Sequence, residues 1–481
     1  MMRRIDPFRS LDAKLLQRNN QGVSDIVSNQ VFSRVLIANR GEIALRAVRA
    51  CHRLGLEAVA VYSDVDVGSP HVWAADRSVC IGPASSSQSY LAIASLLHTA
   101  ISTGCDAVYP GYGFLAENAE FAEACASEGL KFIGPSAETI RMMGDKARAR
   151  AEAERFGTPV VPGSDGVFQS ADEARATAEK IGFPLLLKAR SGGGGRGMRI
   201  ANHADEFSTA FTQATREAEA AFADGAIYLE RFFLAVRHIE VQVLGDGKGN
   251  VLVLDERDCT IQRRHQKLVE ESPSPVVDDV LRGRLLDAAG RLARGISYEG
   301  AGTVEFIFDE ASGEFFFIEM NTRIQVEHPV TEVRTGLDLI EAQMLVAMGH
   351  PLPEVDTENM PGGHAIEFRI NAEDWTKGFT PSPGRLVTWR PPSGKGIRLD
   401  SAAYEGQQVS PFYDSMIGKL IVHGRDRDEA LALARTALSG FRCEGIASSI
   451  DFHRILIDQE DFLANRVHTR WLETVLPGPQ G

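Results

Sequence analysis

From Glu319 to Glu327 the chain reads Glu-Met-Asn-Thr-Arg-Ile-Gln-Val-Glu, with a polar residue at every odd position and mostly apolar residues between. Successive side chains of an extended segment point to opposite faces, so one face would present carboxylate, amide, guanidinium, amide and carboxylate in a row. A strand with one solvated side gives the same alternation. Asparagine is depleted in strands, however, and this mixture is what a site needs to hold a cation and an anion together.

The carboxylates have a partner upstream. Glu305 lies in Val304-Glu305-Phe306-Ile307-Phe308 and Glu319 closes Phe315-Phe316-Phe317-Ile318-Glu319, with the turn-prone Glu310-Ala311-Ser312-Gly313-Glu314 between them. A hairpin centred near Ser312 sets Glu305 directly opposite Glu319, where like charges destabilise a sheet. A divalent cation removes that penalty, and Asn321 adds a carbonyl oxygen on the same face. Hard oxygen donors without Cys or His point to magnesium or manganese, with phosphate oxygens completing the sphere. The competing reading is a pair of surface glutamates, which the aromatic strands around them disfavour.

Ser191-Gly192-Gly193-Gly194-Gly195-Arg196-Gly197 sits between two apolar strands. It reads either as a mobile hairpin loop or as a flap whose backbone N–H groups close on phosphates, with Lys188 and Arg196 adding charge. No Lys-Ser or Lys-Thr follows the glycines, so it is not a Walker loop. Gln262 to Lys267 is a basic run in an acidic protein, in which His265 and Lys267 share one side of an extended chain, either as a solvated face or as a small-anion or nucleotide-phosphate site. His238 faces a core or a site, and Glu230 with Arg231 resembles a hinge that meets an adenine edge. Arg369 projects opposite Ile366, Phe368 and Ile370, where a surface ion pair is the alternative.

The elements that must position these residues are α/β and α+β. An apolar strand at Ser33–Ala38, a turn, apolar residues at helical spacing (Ile43, Ala47, Val48, Cys51, Leu54) and a second strand at Ala58–Tyr62 form a βαβ unit. Its first turn has one glycine, so the dinucleotide-binding signature is missing. Residues 33–145 are expected to be a doubly wound α/β domain, preceded by a polar extension over 1–32. A strand-rich central domain then runs over 146–360, and an α+β unit over 361–475 opens with the strand His364–Asn371. At 481 residues and 44% hydrophobic content the chain fits about three domains. A net charge of −14 argues against nucleic acid or an anionic membrane as partner. Six scattered cysteines suit reduced thiols of a cytoplasmic protein, and no apolar run reaches the roughly 20 residues of a membrane span.

Read in order, Ile37-Ala38-Asn39-Arg40-Gly41-Glu42-Ile43-Ala44, Pro110-Gly111-Tyr112-Gly113-Phe114-Leu115, Gly144-Asp145-Lys146, the glycine run, Gln262 to Lys267 and Glu319 to Pro329 closely resemble the biotin carboxylase family of ATP-grasp enzymes, from Phe32 to Trp471. The resemblance implies an ATP-grasp fold over 146–360 whose mobile glycine-rich lid spans about 160–232. It gives ATP to Lys146, Lys188, Gly193, Gly194, Gly195, Glu230 and His238, with Gln262 and His265 near the nucleotide. Two Mg2+ or Mn2+ ions fall to Glu305, Glu319 and Asn321. Bicarbonate falls to Lys267, Arg323, Gln325 and, through its backbone, Val326, with Glu327 as the base and Arg369 and Tyr112 facing biotin. The implied reaction is ATP-dependent carboxylation of biotin through carboxyphosphate. The chain lacks a Met-Lys-Met biotinylation motif, so a separate biotin carboxyl carrier protein and a carboxyltransferase are expected partners, and a homodimer is implied. Another ATP-grasp carboxylate ligase, or a nucleotide-binding scaffold, are the competing readings.

Overall fold

In a computed structural model describing residues 31–189, 198–222, 224–264, 266–355 and 360–475, strand and helix alternate from Arg34 onward. Strands β1 (Arg34–Ile37), β2 (Glu57–Ser63), β3 (Arg77–Gly82), β4 (Ala107–Tyr109) and β5 (Lys131–Phe132) form a parallel sheet ordered β3-β2-β1-β4-β5. Val35, Leu36 and Ile37 are buried on both faces, as the unbroken apolar run requires. The order reverses between β1 and β4, where ligand crevices form in such sheets. There Asn39 donates from Nδ2 to the carbonyls of Pro110 and Tyr112, both at 2.7 Å, joining the two loops. Gly111 has φ +65°, and a Cβ on it would meet the Asn39 side chain at 3.1 Å.

A small unit follows, with β6 (Leu185–Ala189) between β7 (Met198–Ala201) and β8 (Ile227–Arg231). Its own core unites Leu185, Leu187, Leu229, Phe207 and Phe211, with the helices Ala171–Ile181 and Phe207–Phe222 contributing.

The largest element is an antiparallel sheet built from β9 (Arg237–Asp246), β10 (Val251–Arg263), β11 (Gln266–Ser272), β12 (Glu299–Asp309), β13 (Glu314–Asn321) and β14 (His364–Asn371), extended by Met416–Gly424 and Ile397–Asp400. Its order is β13-β12-β9-β10-β11-β14 and then those two strands. Because β14 pairs with β11, the sheet runs unbroken across the domain boundary expected near residue 360. Helix Asp279–Gly295 packs its Leu285, Ala288 and Leu292 on one face, against Ile239, Val241 and Val243. Helix His328–Thr335 lies over the opposite face, where the even-numbered residues of β9 point.

Candidate active site

The hairpin pairs Glu305 with Glu319, but through a bulge. Phe306 faces Phe317 and Glu305 faces Glu319, so Ile318 is an extra residue in β13. Before it the odd positions Phe315 and Phe317 enter the core; after it Met320 does, and the odd positions Glu319 and Asn321 turn to the other face. β13 ends at Asn321, so Arg323 to Glu327 are not one extended face: they form an irregular loop that leads into helix His328–Thr335, with Glu327 as its N-cap.

That loop wraps onto a buried ionic face. Lys267 donates to Glu240 Oε2 at 2.5 Å, Glu327 Oε1 at 2.6 Å and Glu305 Oε1 at 3.2 Å. Burial disfavours the ammonium, yet these carboxylates raise its pKa well above the usual lysine range. Burial likewise pushes Glu327 up, but Lys267, Arg369 and Arg257 outweigh it and keep the carboxylate ionised. Arg369 bridges Glu327 Oε2 at 2.9 Å and Glu270 Oε1 at 2.6 Å. Glu305 is held well below the carboxylate range by Lys267 and by His238, whose Nε2 lies 3.1 Å away, against the opposing effect of burial.

Gln325 and Asn321 both donate to Glu305 Oε1, at 2.6 and 2.8 Å. Arg323 reaches Asn321 Oδ1 at 3.0 Å and Glu117 at 2.8 Å. The Val326 carbonyl accepts from Lys419 at 2.9 Å; Lys419 also pairs with Glu42 at 2.9 Å, and Glu42 accepts from the Tyr112 hydroxyl. The structure thus joins Lys267, Glu305, Asn321, Arg323, Gln325, Glu327, Arg369 and His238 in one network, and Val326, Lys419, Glu42 and Tyr112 in a second chain of contacts beside it.

Glu319 stands on the rim. Burial and the charge of Glu305 raise its pKa, and the exposed Lys146, 3.9 Å away, offsets this only partly. Two facing carboxylates and an amide make a donor set suited to a hard divalent cation. Lys188 and Glu230 pair with each other on the three-stranded unit. Gln262 is buried opposite Lys267. Gly193, Gly194, Gly195 and His265 lie outside the described residues.

Sequence reading missed Glu42, Glu117, Glu240, Arg257, Glu270, Glu367 and Lys419. Arg257 is wholly buried and uses all five N–H donors, on Glu240, Gln242, Thr331, Thr303 and Gln325 at 2.5–3.1 Å. For Glu240, Glu367 and Lys419 a signal existed: a lone charge among apolar strand residues, as in Ile239-Glu240-Val241 and Ile366-Glu367-Phe368.

Three family models match in succession: "Biotin carboxylase, N-terminal domain" over residues 31–140, "Carbamoyl-phosphate synthase L chain, ATP binding domain" over 145–355, and "Biotin carboxylase C-terminal domain" over 367–474. Biotin carboxylase 1 of Bacillus subtilis is 49% identical over 444 residues, 92% of this chain and 99% of that protein. The crystal structure of a biotin carboxylase–β-γ-ATP complex from Campylobacter jejuni superposes with TM-score 0.83 at 47% identity, covering 92% of this chain and 99% of the other. A dimeric biotin carboxylase domain of 2-oxoglutarate carboxylase from Hydrogenobacter thermophilus, in complex with MgADP, ADP and bicarbonate, gives TM-score 0.82 at 44% identity, covering 92% and 98%.

Proposed function

The chain belongs to the biotin carboxylase family, and from that premise we propose how its residues divide the work of the reaction. The protein is an ATP-dependent ligase that carboxylates biotin with ATP and bicarbonate. Glu327 is the base that takes the bicarbonate proton, and its place between Lys267 and Arg369 is the observation that carries the reading. Arg323, Lys267, Gln325 and the Val326 backbone seat the anion. As bicarbonate shares Lys267, it weakens one of the cations that hold the Glu327 pKa down, so the carboxylate becomes more basic when substrate arrives.

Lys146, Lys188, Glu230, His238, Gln262 and His265, with Gly193, Gly194 and Gly195, hold ATP. Glu305, Glu319 and Asn321 hold two Mg2+ or Mn2+ ions, which when bound offset charge on the transferring phosphoryl group. Carboxyphosphate forms and breaks down beside biotin, where Arg369, with Tyr112 nearby, stabilises the ureido enolate. The division into 33–145, 146–360 with a lid near 160–232, and 361–475 follows the same reading.

Biotin arrives on a separate carrier protein, a carboxyltransferase takes the product, and the subunit works as a cytoplasmic homodimer. Support comes from the 49% identity with the Bacillus biotin carboxylase and from the Hydrogenobacter dimer. The test is ATP hydrolysis by the full chain: it should depend on bicarbonate, rise with free biotin, and lose the biotin response in Arg369→Ala. Hydrolysis indifferent to both additions, or an unaltered response in that variant, would overturn the assignment.

A further inference from the structure

Next to Arg369 the sheet carries a second pair of facing carboxyls. Glu270 on β11 and Glu367 on β14 are direct cross-strand partners, both wholly buried. Opposed residues of an antiparallel pair project from one face with Cβ atoms about 5 Å apart. Glu270 Oε1 accepts from Arg369 Nε at 2.6 Å. Among the described residues its Oε2 and both Glu367 oxygens are buried with no hydrogen-bond partner. Two buried carboxylates so placed cannot both stay ionised at low cost, and each unsatisfied oxygen adds its own desolvation penalty. One proton between them relieves both problems.

We propose that Glu270 and Glu367 share a single proton, carried on Glu367 and donated to Glu270 Oε2, and that the pair is the positioning unit that orients Arg369 toward biotin. Glu270 stays anionic because Arg369 needs a charged acceptor to be held firmly. Glu367 stays neutral, fixes the Glu270 carboxyl in plane, and sets no further negative charge against the enolate that Arg369 stabilises. The groups facing the pair agree with this. Arg369 and Lys419 lie on β14 and its neighbour Met416–Gly424, Lys267 is on β11, Glu327 comes from the loop above, and Tyr112 comes from the N-terminal unit. Burial pushes Glu367 well above the carboxylate range, with Glu270 adding to the effect over the opposing pull of Lys419. Burial also lifts Glu270 to about 7, with Arg369 pulling it back and Glu327 adding to the rise.

The role toward biotin rests on the assignment of Arg369 made above; the shared proton does not. Infrared difference spectra of the full chain at neutral pH, without ligands, should show the carbonyl stretch of a protonated carboxylic acid that disappears in Glu367→Gln. No such band, or one that survives in that variant, would overturn the shared proton. For positioning, Glu270→Gln should lower biotin carboxylation about tenfold more than it lowers bicarbonate-dependent ATP hydrolysis measured without biotin, the loss expected from one charge-assisted hydrogen bond. Glu367→Gln, which keeps a donor in place, should retain about tenfold more biotin carboxylation than Glu367→Leu, which strands Glu270 Oε2. Equal losses in the two assays, or equal rates in Gln and Leu, would sink the positioning role. A wild-type enzyme whose ATP hydrolysis ignores biotin would instead refute the parent assignment and leave the infrared result standing.

Discussion

Two lysine–glutamate pairs do different work because one is buried and the other is not. Lys267 with Glu327 sits in the wall of the large sheet at 11% and 2% side-chain exposure; Lys188 with Glu230, on the small three-stranded unit, shows 36% and 20%. An exposed pair contributes little and can trade partners with an arriving phosphate. A buried one is costly to break, because either charge left alone keeps its desolvation penalty. The wall is therefore built in advance of substrate, and the pair on the three-stranded unit is free to be remade.

The sharpest challenge to this contrast is Glu327→Gln, which keeps the volume and removes the base. Biotin carboxylation should fall about a thousandfold, within the range for losing a general base. Steady-state rates with saturating ATP and bicarbonate check it, and a loss of tenfold or less would mean that the wall only positions. Next comes Arg257→Met, which strips five hydrogen bonds from the buried face. It should destabilise the protein by about 3–5 kcal/mol, as other broken buried ion pairs do, measured by urea denaturation.

What the sequence disclosed divides along the same line. Residues whose chemistry needs a rare combination at short spacing, such as Glu305 with Glu319 and the Arg323–Glu327 run, could be read in one dimension. The bulge at Ile318 was not foreseen, although a phase slip was visible: Phe315 and Phe317 are odd and apolar, whereas Glu319 and Asn321 are odd and polar. Arg257 was hidden because Asp255-Glu256-Arg257-Asp258 has the composition of a solvated turn. Only pairing of β10 with β9 shows that it lies beneath helix His328–Thr335. The crossing of the sheet past residue 360 was likewise invisible, since strand pairing between β11 and β14 is a long-range choice that local pattern does not encode.

Acid should weaken the large sheet at Glu271. Burial raises the Glu271 carboxyl, but His364 Nε2 at 2.8 Å and Arg427 on both oxygens at 2.7 and 3.0 Å bring it down to about 2. A carboxylate whose folded pKa is depressed stabilises the fold fully above its unfolded value and loses that contribution as pH falls toward the folded one. Between pH ~5 and pH ~2 this site alone should therefore remove about 3 kcal/mol, at 1.36 kcal/mol per unit. Chemical denaturation of wild type and Glu271→Gln across that window checks it, because the variant should show the shallower pH slope.

The smallest expected effect is on the Lys188–Glu230 pair, and it tests the comparison from the other side. If Lys188 and Glu230 are held together only until nucleotide arrives, a double-mutant cycle of Lys188→Met and Glu230→Gln should give a coupling to stability of about 0–1 kcal/mol, the range of exposed ion pairs. Lys188→Met should still raise the KM for ATP about tenfold, since a phosphate contact is lost that the glutamate does not replace. A coupling as large as that of the buried wall would place the Lys188–Glu230 pair in the fixed framework. An unaltered KM would remove Lys188 from the nucleotide site and leave the pair a local brace between β6 and β8.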